Sequence, residues 1–346
     1  MSAHAIAHRE EQGFALPPIL LNDRGEVRRV GFEFEYAGLD IAESARIVRD
    51  VFGGTIDVRS TFEQRVAGTR LGDFTVEIDT SLLKDRKYER PLRAVGFDPD
   101  KHDTRWLESA LLETVSTLVP IEIGAPPVPL TGLGALESLR AALHARGAKG
   151  TKASVFYAFG LHVNVEVPRL DAALLRDFLR AFVLLYPWIR RRADVDLSRS
   201  ISPYIDNFPR DYQRLILQPG YDPDERRIID DYLEHNPTRN RALDMLPLLA
   251  WRDERRVMDR LDGSALVKPR PAFHYRLPNC EIDDPAWTLA REWNTWVAVE
   301  RLACDEKRLA EMSRQYLAAD AESFRPFYDK WPTVLERHMQ RRGEPA

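Results

Sequence analysis

The spacing of apolar residues predicts strands in the first half of the chain and mainly helices in the second half. Apolar and polar residues alternate with a period of two in several segments, which is typical of half-buried strands. This pattern, or a short apolar run, predicts strands at residues 27–36, 55–66, 74–78, 121–123, 161–167 and 273–277. Longer segments have apolar residues at helical spacing, which predicts helices at residues 41–52, 104–119, 135–146, 171–191, 223–235, 241–261, 285–318 and 332–341.

This order of elements predicts an α+β fold. Strands and helices are mixed early and helices dominate late, unlike the regular alternation of a doubly wound parallel sheet. We therefore expect a mostly antiparallel sheet that carries the chemistry, with the helices packed on its other side. Residues 1–26 are predicted to be an N-terminal lead-in that ends in a turn. Residues 27–346 are predicted to form a single catalytic domain with a helical C-terminal part.

Composition narrows the class of protein. The chain is 44% hydrophobic and 30% charged, as expected for a soluble globular protein, and its net charge of -4 argues against a nucleic-acid partner. Its two cysteines, Cys280 and Cys304, form no C-x-x-C pair, so a disulfide framework is excluded and the reducing cytosol is expected. The first residues lack the long apolar core of a secretory signal, and no apolar stretch is long enough for a membrane span. We therefore expect a cytoplasmic protein without a membrane partner.

Two glutamates in the first predicted strand are the first candidates for chemistry. The segment GFEFE places Glu33 and Glu35 on one face of the strand, while Phe32 and Phe34 project from the other. Two carboxylates this close repel each other unless a cation lies between them, and hard divalent cations prefer oxygen ligands. The alternative is a solvated strand face, and this motif alone does not separate the two.

Acidic residues also mark two later strands. In FTVEIDTSL, Glu77, Asp79 and Ser81 share one face if the strand continues, although the same spacing fits the outer face of an antiparallel sheet. In IEIGAPPVPL, Glu122 lies between two isoleucines directly before a Pro-containing loop. A carboxylate among apolar neighbours needs a partner. The alternative is an edge strand with Glu122 in water.

Histidine, asparagine and arginine add candidates for holding a phosphate or a metal. GLHVNVEVP places His162 and Asn164 on one strand face, which Glu166 extends. A histidine beside a polar partner can ligate a metal or hold a phosphate, although a lone histidine is more often structural. In HYRLPNCEID, Arg276 and Glu281 flank a Pro-containing turn, which suits anion recognition together with metal ligation. A surface salt bridge is the alternative for that pair.

Together these side chains predict a funnel that binds two or more divalent ions and a polyphosphate. The chain contains no Walker-A GxxxxGK[ST] motif and no GxGxxG motif that opens a helix. Gly31 and Gly160 precede strands, so neither begins a phosphate-cradling helix. A nucleotide held through metal ions, without a Gly-rich loop, is the remaining route.

The same motifs, in the same order, resemble the amidoligase family. GFEFE, VEIDTSL, IEIGAPPVPL, GLHVNVEVP and RLPNCEID extend over residues 31–283, and their order and spacing match that family. The family belongs to the carboxylate–amine ligase superfamily of glutamine synthetase and glutamate–cysteine ligase. The resemblance implies a glutamine synthetase-like catalytic fold, in which a sheet lines a funnel with ATP at one end and the acid substrate at the other.

The resemblance also implies roles for individual residues. Ligands for Mg²⁺, with Mn²⁺ as a substitute, are implied at four glutamates: Glu33, Glu35, Glu122 and Glu281. Contacts to ATP are implied at His162, Asn164, Arg241 and Arg276. Catalytic roles are implied at Asp79, Glu77 and Arg276, and we expect Asp79 or Glu77 to deprotonate the incoming ammonium.

The chain departs from the family pattern at two positions. His162 matches the first histidine of a G-x-H-x-H strand, but Asn164 replaces the second. Relatives often carry Arg two residues after the terminal glutamate, where this chain has Asp283. The second departure bears on phosphate or substrate contacts at that end of the site.

The resemblance implies that ATP phosphorylates a substrate carboxylate and that an amine then attacks the acyl phosphate. The expected partners are a carboxylate and an amine, either small molecules or protein side chains. Two alternatives remain open at this point. One is a guanidino kinase-like phosphotransferase, which shares the broad fold. The other is a non-catalytic nucleotide- or peptide-binding protein, which the departures at Asn164 and Asp283 keep open.

Overall fold

One antiparallel sheet organises the part of the chain that the computed structural model describes, residues 13–78, 120–151, 159–193, 207–261, 267–322 and 331–340. Its nine strands are β1 (Arg29–Tyr36), β2 (Thr55–Ser60), β3 (Glu63–Thr69), β4 (Gly72–Ile78), β5 (Ile121–Gly124), β6 (Val128–Pro129), β7 (Leu161–Glu166), β8 (Leu243–Asp244) and β9 (Ala272–Tyr275). The strand order is β2-β3-β4-β5-β1-β7-β9-β8, and β6 pairs with β1 beyond the end of β5. Strand β1 therefore lies at the centre, between two strands that come much later in the chain.

Ten α-helices accompany the sheet within the described residues. They are α1 (Ile41–Phe52), α2 (Gly134–Ala145), α3 (Ala172–Arg192), α4 (Arg210–Leu217), α5 (Glu225–His235), α6 (Leu246–Arg252), α7 (Glu254–Met258), α8 (Leu289–Ala303), α9 (Glu306–Glu322) and α10 (Trp331–Gln340). None of the described helices is both long enough and apolar enough to cross a membrane. The predicted helix at residues 104–119 lies outside the described residues.

The helices cover one face of the sheet. Every second residue along a strand points to this face, and most of these residues are apolar. Phe52 of α1 stacks on Phe74 of β4 with ring centroids 5.1 Å apart. Phe178 of α3 stacks on Phe273 of β9 at 4.8 Å, and Trp296 of α8 approaches Phe273 at 5.4 Å. The prediction of a large antiparallel sheet with helices packed on one side is therefore confirmed, and the opposite face is left to polar side chains.

A buried ion pair fastens the central strand to the helical layer. Arg28, directly before β1, and Glu300 of α8 are both fully buried and form a two-pronged pair at 2.8 and 2.9 Å. The indole of Trp296 donates a further hydrogen bond to Glu300 at 2.8 Å. The lead-in packs on the same helix, since the amide of Ala15 donates to the side chain of Asn294 at 2.8 Å.

Three predicted elements are each divided into shorter elements at polar side chains. Residues 55–66, predicted as one strand, form β2 and the start of β3, and the Ser60 hydroxyl accepts from the amide of Phe62 in the turn between them. Residues 241–261, predicted as one helix, contain β8 and then two short helices. Asp244 accepts from the amide of Leu246 where α6 begins, and Asp253 accepts from the amide of Arg256 where α7 begins.

The predicted helix at residues 285–318 is likewise two helices. α8 ends at Ala303 and α9 starts at Glu306, because the side chain of Asp305 accepts from the amide of Arg308 and caps a new helix. Apolar spacing continues through each of these breaks, so periodicity alone predicted continuous elements.

Candidate active site on the polar face of the sheet

Four glutamates form a row across four adjacent strands of the polar face. Glu63 of β3 lies directly opposite Glu77 of β4, Glu77 opposite Glu122 of β5, and Glu122 opposite Glu35 of β1. All four are partly exposed. Like charges placed directly opposite each other destabilise a sheet, so this row favours the binding of cations.

Another cross-strand pair lies on β1, two residues before Glu35. Glu33 is the cross-strand partner of His162 on β7, and Glu33 Oε2 lies 2.9 Å from His162 Nδ1. The other ring nitrogen, Nε2, lies 3.4 Å from Glu35 Oε1. The amide of Gly160 donates to the second oxygen of Glu35 at 2.6 Å. His162 thus joins the two strand glutamates, as expected from their shared face.

A third group continues the polar face onto β9. Asn164 of β7 lies directly opposite His274 of β9, which in turn lies opposite Asp244 of β8. The amide nitrogen of Asn164 donates to Glu33 Oε1 at 2.9 Å. Its oxygen accepts from Arg270 at 2.7 and 3.0 Å and lies 2.9 Å from His274 Nδ1. Asn164 therefore connects Glu33 with two residues that approach from β9 and the loop before it.

These contacts set the charges at the centre of the site. Burial opposes ionisation of Glu33, but the hydrogen bond with His162 and the nearby charges of the two histidines and Arg270 hold its pKa well below the usual range. Burial lowers the pKa of His274 well below its usual value, against the attraction of Glu33, and Arg270 and Arg276 lower it further. At neutral pH the site therefore combines a Glu33 carboxylate with a neutral His274 imidazole.

This cluster has the donor set of a divalent metal site. Glu33, His162 and His274 each offer one ligand atom, and the three atoms lie within 4.8 Å of one another. A carboxylate with two imidazoles suits a transition metal such as Mn²⁺ or Zn²⁺, whereas the neighbouring carboxylate row suits Mg²⁺. The residues present thus fit the ions that the sequence motifs predict.

Cationic and acidic groups flank the cluster beyond β9. Arg276 follows the strand and donates to the carbonyl of Arg239 at 2.5 Å, while its Nε atom is buried without a hydrogen bond to any described residue. Burial raises the pKa of Asp244 to about 6, although Arg276, the amide of Leu246 and other arginines counteract the rise. This end of the site therefore pairs positive charge with a carboxyl whose raised pKa approaches neutral pH.

A family model described as "Putative amidoligase enzyme" matches residues 26–298, from the residues before β1 to the middle of α8. The chain belongs to this amidoligase family. A search of the curated proteins gave no match, and a search of the solved structures gave none either.

Two predicted site residues make contacts outside the cluster around Glu33. Glu281 is fully buried, and its carboxylate lies 3.3 Å from Arg291 of α8, in a cluster that also contains Glu292. The guanidinium of Arg241 donates to the side chain of Asn236 and to backbone carbonyls nearby. Neither residue belongs to the cluster around Glu33. The role of Glu281 as a metal ligand and that of Arg241 as an ATP contact remain predictions.

The departure at Asp283 has a structural counterpart in the amidoligase. Asp283 accepts a hydrogen bond from the amide of Gly150 at 3.0 Å. A Cβ atom at Gly150 would overlap the carbonyl oxygen of Cys280, so the two segments approach too closely for any larger residue. Asp283 therefore ties the segment after β9 to the loop before β7.

The remaining predicted residues divide between the described and undescribed parts of the chain. Glu77 lies in the glutamate row, as period-two spacing predicts. Asp79 and Ser81 lie outside the described residues, so the catalytic role of Asp79 stays a prediction.

Sequence reasoning missed four residues of the site: Glu63, Asp244, Arg270 and His274. His274 precedes Arg276 by two positions, so strand spacing would have placed both on one face. Glu63 was assigned to the end of a long strand and has no motif of its own. Arg270 lies in the loop before β9, where no periodicity identifies it.

Proposed function

We propose that this amidoligase is an ATP- and Mg²⁺-dependent carboxylate–amine ligase on a glutamine synthetase-like catalytic fold. The observation that carries the proposal is the polar face of the sheet. There the glutamate row adjoins the cluster of Glu33, His162 and His274. Such a surface suits a polyphosphate that is held through divalent ions.

The proposed reaction has two steps. A carboxylate oxygen of the acid attacks the γ-phosphorus of ATP, which forms an acyl phosphate and releases ADP. The amine then attacks the acyl carbon, the new C–N bond forms, and inorganic phosphate leaves with the carboxylate oxygen. Bound Mg²⁺ would neutralise charge on the phosphates. The candidate ligands are Glu33, Glu35, Glu122, Glu281, His162 and His274.

The arginines beside β9 fit the other charged groups of this reaction. A guanidinium binds a phosphate or a carboxylate through two parallel hydrogen bonds. Arg276 has a buried Nε atom without a hydrogen bond to any described residue, and it lies close to His274. We assign Arg276 to a phosphate or the acid substrate, with Arg241 as a further ATP contact. Removal of the proton from the amine is assigned to Asp79 or Glu77.

The test supplies Mg²⁺ and ATP with a panel of acids and amines, and measures both ADP and amide mass. Amino acids and dicarboxylic acids serve as acids; ammonium, amino acids and polyamines serve as amines. The proposal predicts ADP release that depends on the acid, and an amide only when the amine is also present. ADP release with a guanidino compound alone would indicate a kinase instead. Tight ATP binding without any turnover across the panel would indicate a binding protein.

A further inference from the structure

The side chain of Asn164 makes four polar contacts within the candidate site. Its amide nitrogen donates to Glu33, and its oxygen accepts two hydrogen bonds from Arg270 and lies 2.9 Å from His274 Nδ1. Every polar atom of the side chain is thus committed to a residue of the site.

The orientation of this amide follows from the chemistry of its neighbours. A guanidinium carries only donors, so the atom of Asn164 that faces Arg270 must be the oxygen. An ionised carboxylate carries only acceptors, so the atom that faces Glu33 must be the nitrogen. The two assignments agree, and each excludes the flipped amide.

The fixed amide then determines the protonation of His274. Because an oxygen faces His274 Nδ1 at 2.9 Å, that ring nitrogen must carry the proton that forms the hydrogen bond. In a neutral imidazole the lone pair is then on Nε2. Metal-binding histidines are commonly held in this way, with the second ring nitrogen donating to a neighbouring oxygen.

We infer that Asn164 is a positioning residue that fixes the tautomer of His274 and so makes this histidine a nitrogen ligand for a divalent ion. The second imidazole of the site then comes from β9, from the position directly opposite Asn164. The role of that ion in ligation rests on the proposed function, whereas the tautomer rests on the geometry alone.

The tautomer can be measured directly by nitrogen NMR of histidine-labelled protein at neutral pH. The chain has 8 histidines, and the His274 signals are those lost in His274→Gln. We expect a protonated Nδ1 and a bare Nε2 in the unsubstituted protein. Asn164→Leu should abolish this preference. The matched control Asn294→Leu, on α8, should leave the His274 signals unchanged.

Finding a protonated Nε2 on His274 in the unsubstituted protein would overturn the inference. A folded Asn164→Leu protein with an unchanged tautomer would overturn it as well.

Metal affinity provides the second readout, with Mn²⁺ as the probe in calorimetric titration without ATP. Loss of a group that orients a metal-binding histidine typically costs about 10–100-fold in affinity. We expect a loss of that order for Asn164→Leu, a loss at least as large for His274→Gln, and none for Asn294→Leu. Unchanged Mn²⁺ affinity in Asn164→Leu would contradict the inference. Mn²⁺ binding through His274 in a protein that forms no amide would support it and contradict the proposed function.

Discussion

Glu33 and His162 face each other across the two central strands, with Glu33 Oε2 2.9 Å from His162 Nδ1. The two residues are far apart in the sequence, and the contact requires β7 to pair directly with β1. The same pairing places His162 Nε2 3.4 Å from Glu35. One histidine thus connects two strand glutamates.

Replacing Glu33 by Gln should strongly slow ligation while the fold survives. The amide keeps the volume of the carboxylate but loses its charge, and one of the two atoms that contact Asn164 and His162 becomes an NH₂ group that cannot accept a hydrogen bond. Loss of charge stabilisation by a metal costs several kcal/mol in the transition state, which is roughly a hundredfold or more in rate. Amide formation under saturating Mg²⁺ and ATP measures the effect.

The control for that variant is Glu43→Gln, at a partly exposed position of α1 away from the site, which should retain full activity. Normal amide formation by a folded Glu33→Gln protein would show that the reaction does not need this carboxylate.

Breaking the buried pair of Arg28 and Glu300 should be strongly destabilising. Glu300→Gln leaves the Arg28 charge buried without a counter-charge, and such changes cost about 3–5 kcal/mol. Urea unfolding measures the difference. The double variant Arg28→Met with Glu300→Leu removes both charges and should recover part of the loss. A single variant that unfolds at the same urea concentration as the unsubstituted protein would contradict this assignment.

Glu292 should make stability depend on pH. Burial raises the pKa of Glu292 from about 4.5 to about 7, although Arg291 and the indole of Trp287 counteract the rise. The folded state therefore binds more protons than the unfolded state between these values, so the free energy of unfolding falls as pH rises through the window. A pKa difference of this size corresponds to about 3 kcal/mol.

Glu292→Gln removes this titration while an amide oxygen still accepts from Trp287. Relative to the unsubstituted protein, the variant should gain about 3 kcal/mol between pH 4.5 and pH 7.5, measured by urea unfolding at both values. A difference between the two proteins that does not change with pH would refute the raised pKa.

The period-two spacing predicted which site residues share one face of a strand, but it could not predict which strands are neighbours in the sheet. Period two placed Glu33 beside Glu35, and His162 beside Asn164, on single faces, and the structure confirms both. The row that joins Glu122 to Glu35 depends on pairing between distant segments, which no local pattern encodes.

His274 was missed for a different physical reason. Strand spacing puts His274 on the same face as Arg276, but all four residues of β9 are buried, and the sequence does not show that other strands cover the polar side of β9. Asn164 and Asp244, on the neighbouring strands, cover its polar side. Asn164, which departs from the family pattern, is therefore a residue of the site, and its partner His274 could be recognised only from the structure.

The central claim is that the acid substrate is activated by transfer of phosphate to its carboxylate. The most direct measurement uses an acid from the panel that supports amide formation, labelled with heavy oxygen in its carboxylate. The released phosphate is then analysed by mass. The acyl-phosphate route predicts that one labelled oxygen appears in inorganic phosphate for each amide formed. Amide formation with unlabelled phosphate, or with the label in AMP, would contradict it.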